Sequence, residues 1–139
     1  MPTAQDLYNE LAYYSLAHGD PAFIHQHVVD AFAVQQADEM TKPIAVVFGL
    51  VGLFLHVEKG FTGRQVQIVH MRLASRRKQW PQVNLPERRG NITISDVLAV
   101  SSGPERDAMI HRWCESVWGA CKECRTPIAD LLKCELDIS

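Results

Sequence analysis

No lysine or arginine occurs in the first 40 residues, against six acidic residues there, so this part of the chain offers no cationic surface for a polyanion. Apolar runs are short as well. The longest, Ile44 to Val57, is broken only by His56 and falls below the roughly 20 residues a membrane-spanning helix needs. It reads as a buried helix, and no membrane partner is expected. Met1 to Asp6 is polar, with no basic start and no apolar stretch behind it, so a cytoplasmic location is expected. Four cysteines in such a chain read as reduced thiols. Cys121 and Cys124 have redox or zinc spacing, but a zinc ribbon wants two such pairs, and Cys114, Trp118 and Cys121 fall at core spacing on one helix. There is no Walker loop, dinucleotide fingerprint, Gly-x-Ser-x-Gly or His-Glu-x-x-His. Internal repeats and low-complexity tracts are absent too.

What is present suits one compact domain over residues 1–139, with 47% hydrophobic and 22% charged residues. Caps and periodicity predict an all-α bundle of five or six helices. The first runs from about Ala4 to Ala17 behind Thr3. Asp20-Pro21 is an N-cap followed by a first-turn proline, predicting a second helix to about Asp38. Thr41-Lys42-Pro43 opens a third, apolar nearly all round and therefore central, closed by Lys59-Gly60. Thr62-Gly63-Arg64-Gln65 is a capping box for a fourth, ending near Lys78. Gln79 to Gly90 reads as loop, Asn91 to Ile94 as a short extended piece, and Asp96 to Val100 as a short helix. A long helix from about Glu105 to Cys124 and a final turn or helix from Pro127 complete the chain.

The six histidines carry the functional signal. At about 100° per residue, His27 and Asp30 share one face of the second helix, and His25 points the other way. His56 lies in line with Ala45, Gly49 and Gly52, small residues that let a neighbouring helix approach closely. His70 falls on the apolar side of the fourth helix. Imidazoles and carboxylates projecting from facing helices are how bundle metal sites are assembled. His27, Asp30, His56 and His70 are therefore the expected ligands of a divalent transition metal, zinc or iron. His18 and His25 are the expected catalytic groups at the rim, and Lys59 and Arg64 the expected contacts to a small anionic substrate. A structural histidine network is the competing reading, and the sequence leaves open whether the chain is an enzyme.

Two other functions compete. Arg72, Arg76, Arg77 and Lys78, with Arg88, Arg89 and Trp80 nearby, suggest a non-catalytic binding surface for nucleic acid or an acidic protein, nucleic acid being the less expected because the whole chain carries a net charge of −2. The Gly49/Gly52 face suggests a homodimer interface. Finally, the run His18-x-Asp20-Pro21-x-Phe23-Ile24-His25-x-His27-x-x-Asp30, with LHVEKG at Leu55 to Gly60, RQVQ at Arg64 to Gln67 and MIHRWCESVW ending at Trp118, resembles an uncharacterised family of small bacterial proteins of unknown function. The resemblance runs from about Tyr8 to Trp118 and implies a shared compact fold, without an activity.

Overall fold

The computed structural model describes residues 1–17, 19–76 and 79–139. Among the described residues seven α-helices follow one another: α1 (Ala4–Ala17), α2 (His25–Gln36), α3 (Pro43–Lys59), α4 (Gly63–Arg76), α5 (Ile94–Ala99), α6 (Pro104–Ala120) and α7 (Arg125–Leu136), with a 3₁₀ turn, Lys122–Cys124, before the last. No strand occurs among the described residues, so Asn91 to Thr93 is a connection and not an extended element. No helix among them is long and apolar enough to cross a membrane.

α3 is the axle. Val47, Leu50, Val51, Leu53, Phe54 and Leu55 are all buried, as its nearly continuous apolar sequence requires. It packs against α2, α4, α6 and α7, while α1 lies on α2 and α5. Lys59-Gly60 ends it as expected: Gly60 turns left-handed at φ 71°, and the Gly60 and Phe61 amides return to the carbonyls of His56 and Leu55. The capping box at α4 forms too. The Thr62 amide donates to Gln65 Oε1 at 2.8 Å and the Gln65 amide to Thr62 Oγ1 at 3.2 Å.

Two boundaries differ from expectation. α2 begins at His25, a turn later than Asp20-Pro21 predicts. Asp20 does act as a cap, accepting the Ala22 and Ile24 amides, but Phe23 takes φ 63° and breaks the helical path. The expected long helix to Cys124 stops at Ala120, and the chain re-forms as α7, whose Ile128, Leu131, Leu132 and Leu136 are buried.

Arg89, expected on a basic surface, turns inward. Its guanidinium donates to the carbonyls of Val34, Gln35 and Ala37 and satisfies the open end of α2. Arg77 and Lys78 lie outside the described residues. Arg76 bonds the Glu135 carbonyl at 3.0 Å, and Trp80 packs edge-on against Phe48. The Gly49/Gly52 face is covered by α2: a Cβ at Gly49 would lie 2.7 Å from the Val34 side chain, and one at Gly52 would lie 1.8 Å from Asp30 Oδ2. The small-residue stripe thus serves helix packing within the chain and is not free to join two copies.

Candidate functional site

Three histidines on three helices meet at one pocket. His27 comes from the first turn of α2, His56 from the last turn of α3 and His111 from the second turn of α6. The rings of His27 and His56 are stacked, with centroids 3.6 Å apart and planes 22° apart. His56 Nε2 and His111 Nδ1 are 2.8 Å apart, and His56 Nδ1 is 3.1 Å from the Phe61 carbonyl oxygen.

This geometry fixes the tautomers. A carbonyl oxygen only accepts, so His56 Nδ1 carries the hydrogen and donates it to Phe61. In the neutral ring Nε2 is then an acceptor, and His111 Nδ1 donates to it. That leaves His111 Nε2 with a lone pair and no partner among the described residues. The ring of His27 likewise makes no hydrogen bond among them.

The electrostatics keep the inner two rings neutral. Burial pushes His27 down to about 3, and the neighbouring His56 and His111 add to the shift. Burial also lowers His56. The Phe61 bond opposes it, His111 adds to it and Glu115 opposes it. Beneath His27, the thiol of Cys114 donates to the His27 carbonyl oxygen at 3.7 Å and is held protonated by burial.

The histidines open onto a pocket of ≈ 210 Å³, walled by Asp20, Ala22 and Ile24 before α2 and by Gly60, Phe61 and Thr62 after α3. Larger hollows exist, ≈ 330 Å³ beside Asp38 and Arg89, ≈ 510 Å³ between Tyr13 and Arg106 and ≈ 280 Å³ beside Met109 and Arg112. None of them gathers a cluster of histidines, so chemistry, not size, selects the smaller pocket.

The expected metal set does not assemble as a set. His27 and His56 are brought together. His70 is not: its Nε2 pairs with the Phe48 carbonyl at 2.8 Å and its ring stacks on Phe48, eight residues before His56 and so about 12 Å back along α3. Asp30 is buried between α2 and α3. Its Oδ1 accepts from Gln26 at 3.1 Å, and its Oδ2 has no partner. It does not line the pocket. Among the described residues, no group of three histidine, cysteine or carboxylate side chains is arranged to hold a metal ion as it stands.

Of the expected catalytic pair, His25 faces Ser15 on α1, its Nδ1 2.9 Å from Ser15 Oγ, and His18 lies outside the described residues. Lys59 lies over the Phe54 ring, and Arg64 over Phe23 with a 2.7 Å bond to Gln67, so both are occupied at the edge of the site. His111 was not among the expected residues. Its one sequence signal is its place in MIHRWC, beside the apolar positions Ile110, Trp113 and Cys114 of α6.

An all-helical chain with histidines from three helices around one small pocket is the class that fold and site define. It belongs to a family of unknown function, DUF5946, whose model matches residues 2–122. No curated protein and no solved structure matches it. The matched span includes α1 to α6 with all three histidines and leaves α7 outside.

Proposed function

We propose that the pocket binds a small polar ligand and that the His56–His111 pair exchanges a proton with it. The observation that carries this reading is the 2.8 Å bond between two imidazoles whose tautomers are fixed by the Phe61 carbonyl. His111 Nε2 is the acceptor offered to the ligand. As it takes a proton, the Nδ1–H bond to His56 becomes charge-assisted and about twice as strong. His56 is backed by Phe61, so the positive charge is shared along a chain of bonds without a carboxylate. His27 covers one face of His56 and keeps water from it. A pocket of ≈ 210 Å³ is smaller than the roughly 300–1,000 Å³ that drug-sized ligands fill, so the ligand is of metabolite size or less.

Nitrogen NMR of histidine-labelled protein tests this. His56 is expected as the Nδ1–H tautomer, and a library of small acids, alcohols and amides is expected to shift Gly60, Phe61, Thr62 and His111. An Nε2–H tautomer at His56, or ligands that gather only at the hollow between Tyr13 and Arg106, would remove the basis for this reading.

A further inference from the structure

Three observations go unused by proton exchange alone: ring nitrogens of His27 and an oxygen of Asp30 without hydrogen bonds among the described residues, and the convergence of histidines from three helices. We infer that the pocket also takes up a divalent transition-metal ion, zinc foremost, on His27, His56 and His111, with Asp30 as the acceptor behind His27. This rests on the reading of this pocket as the working site.

The donor set is the first argument. Three neutral imidazoles suit zinc and its neighbours, and a fourth position facing the pocket remains for water or ligand. His56 already makes the outer bond that a metal-bound histidine makes, Nδ1–H to a carbonyl, which leaves Nε2 for the ion. Asp20 stands in the pocket wall with each oxygen accepting one backbone amide.

Distance is the second. Two nitrogens at about 2.0–2.1 Å from a tetrahedral ion stand about 3.3 Å apart. His56 Nε2 and His111 Nδ1 are at 2.8 Å and face each other along a shared hydrogen, so the two rings must part by about half an ångström and turn until their lone pairs converge on the ion. The His111 hydrogen passes through water to its own Nε2, and the ring stays neutral.

Asp30 is the third. It is 2% exposed, its Oδ2 has no partner, and Gly52 leaves the carboxyl its space. His27 stands three residues earlier on the same face of α2, its ring also without a hydrogen bond among the described residues. Both vacancies close together when an ion draws His27 off the His56 stack and its second ring N–H meets Oδ2. A metal-bound histidine backed by a carboxylate is the arrangement that results.

The test is zinc titration of untagged protein against a chromophoric chelator, with imidazole NMR on the same sample. One zinc per chain at micromolar affinity or tighter is expected, lost in His56→Ala and His111→Ala and unchanged in His70→Ala. Asp30→Asn keeps the shape of the side chain and is expected to weaken zinc by about 10–100-fold with helix content intact. The loaded wild type is expected to show a new, slowly exchanging His27 N–H, a readout that needs no variant to fold. No zinc uptake, or uptake that survives His56→Ala, overturns the inference while the His56 tautomer still judges the proton-exchange reading separately. Wild-type affinity in Asp30→Asn, with no protected His27 N–H, overturns the place given to Asp30.

Discussion

Asp30 occupies the space that a side chain at position 52 would fill. A Cβ there would lie 1.8 Å from Oδ2, so Gly52→Ala is expected to destabilise the fold by about 1–3 kcal/mol in chemical denaturation. The carboxyl group is the obstacle, so adding Asp30→Ala to Gly52→Ala should cost less than the two single changes summed. Additivity within about 0.5 kcal/mol would show that the two positions do not share this space. Sequence periodicity placed His27 with Asp30 on one face and His56 in line with Gly52, and those relations hold. It did not reveal which neighbour each face meets. His70 shares the apolar side of α4, yet it meets α3 two turns away from His56. His111 escaped notice because no spacing within the chain ties it to His56, 55 residues earlier. Only the packing of α6 on α3 brings them together.

Elements begin and end where local signals and docking agree, and α2 shows them in conflict. Asp20-Pro21 is a sound start signal, but the Arg64 amide donates to the Ala22 carbonyl at 2.9 Å, pinning that peptide against α4 and delaying the helix to His25. Gly63 makes the contact feasible: a Cβ there would lie 1.8 Å from the Phe23 carbonyl oxygen, a backbone atom. Gly63→Ala is therefore expected to cost at least about 1–3 kcal/mol and to shift the amide signals of Ala22 to Ile24. Gly119, in α6, has nothing within 4 Å of a built Cβ, and Gly119→Ala should stabilise by about 0.4–1 kcal/mol. The same thermal melts compare both, and equal effects would contradict the close approach at Gly63. The α3 stop, the α4 capping box and the central place of α3 were legible because they depend on residues within a few positions of one another. The break at Ala120 was not, since Gly119 stands inside the last turn and Cys121, not a glycine, follows the helix.

At the scale of the molecule, the histidines set acid sensitivity. His25, His27, His56 and His70 are all held below their ordinary value of 6.5 by burial, so the unfolded chain binds more protons. Stability is full above about 6.5 and falls as pH drops below it, with His27 contributing down to about 3. Each group adds a slope of up to about 1.4 kcal/mol per pH unit. Asp30, raised well above 3.8 by burial with Gln26 opposing, acts the other way and reduces the net slope. Urea midpoints of metal-free protein should fall from pH 7 to pH 4.5, and a flat profile would contradict the neutral buried rings. α7 lies outside the family match, yet its four buried apolar side chains are each worth about 1.5–3 kcal/mol, against a total of about 5–15 kcal/mol for a domain. A chain ending at Lys122 is expected to lose its cooperative melt, and retention of the full-length midpoint would show that α1 to α6 fold alone.

Trp118 donates its indole N–H to Glu58 at 2.7 Å, and Glu58 also holds Arg125 at the start of α7. Glu58 stands two residues beyond His56, on the turn that would move if His56 and His111 part. Trp113, fully buried and bonded to Gln35, lies apart from that turn. The chain thus carries its own optical gauge: one indole whose emission colour follows the last turn of α3, read beside Trp80 and the core-sealed Trp113.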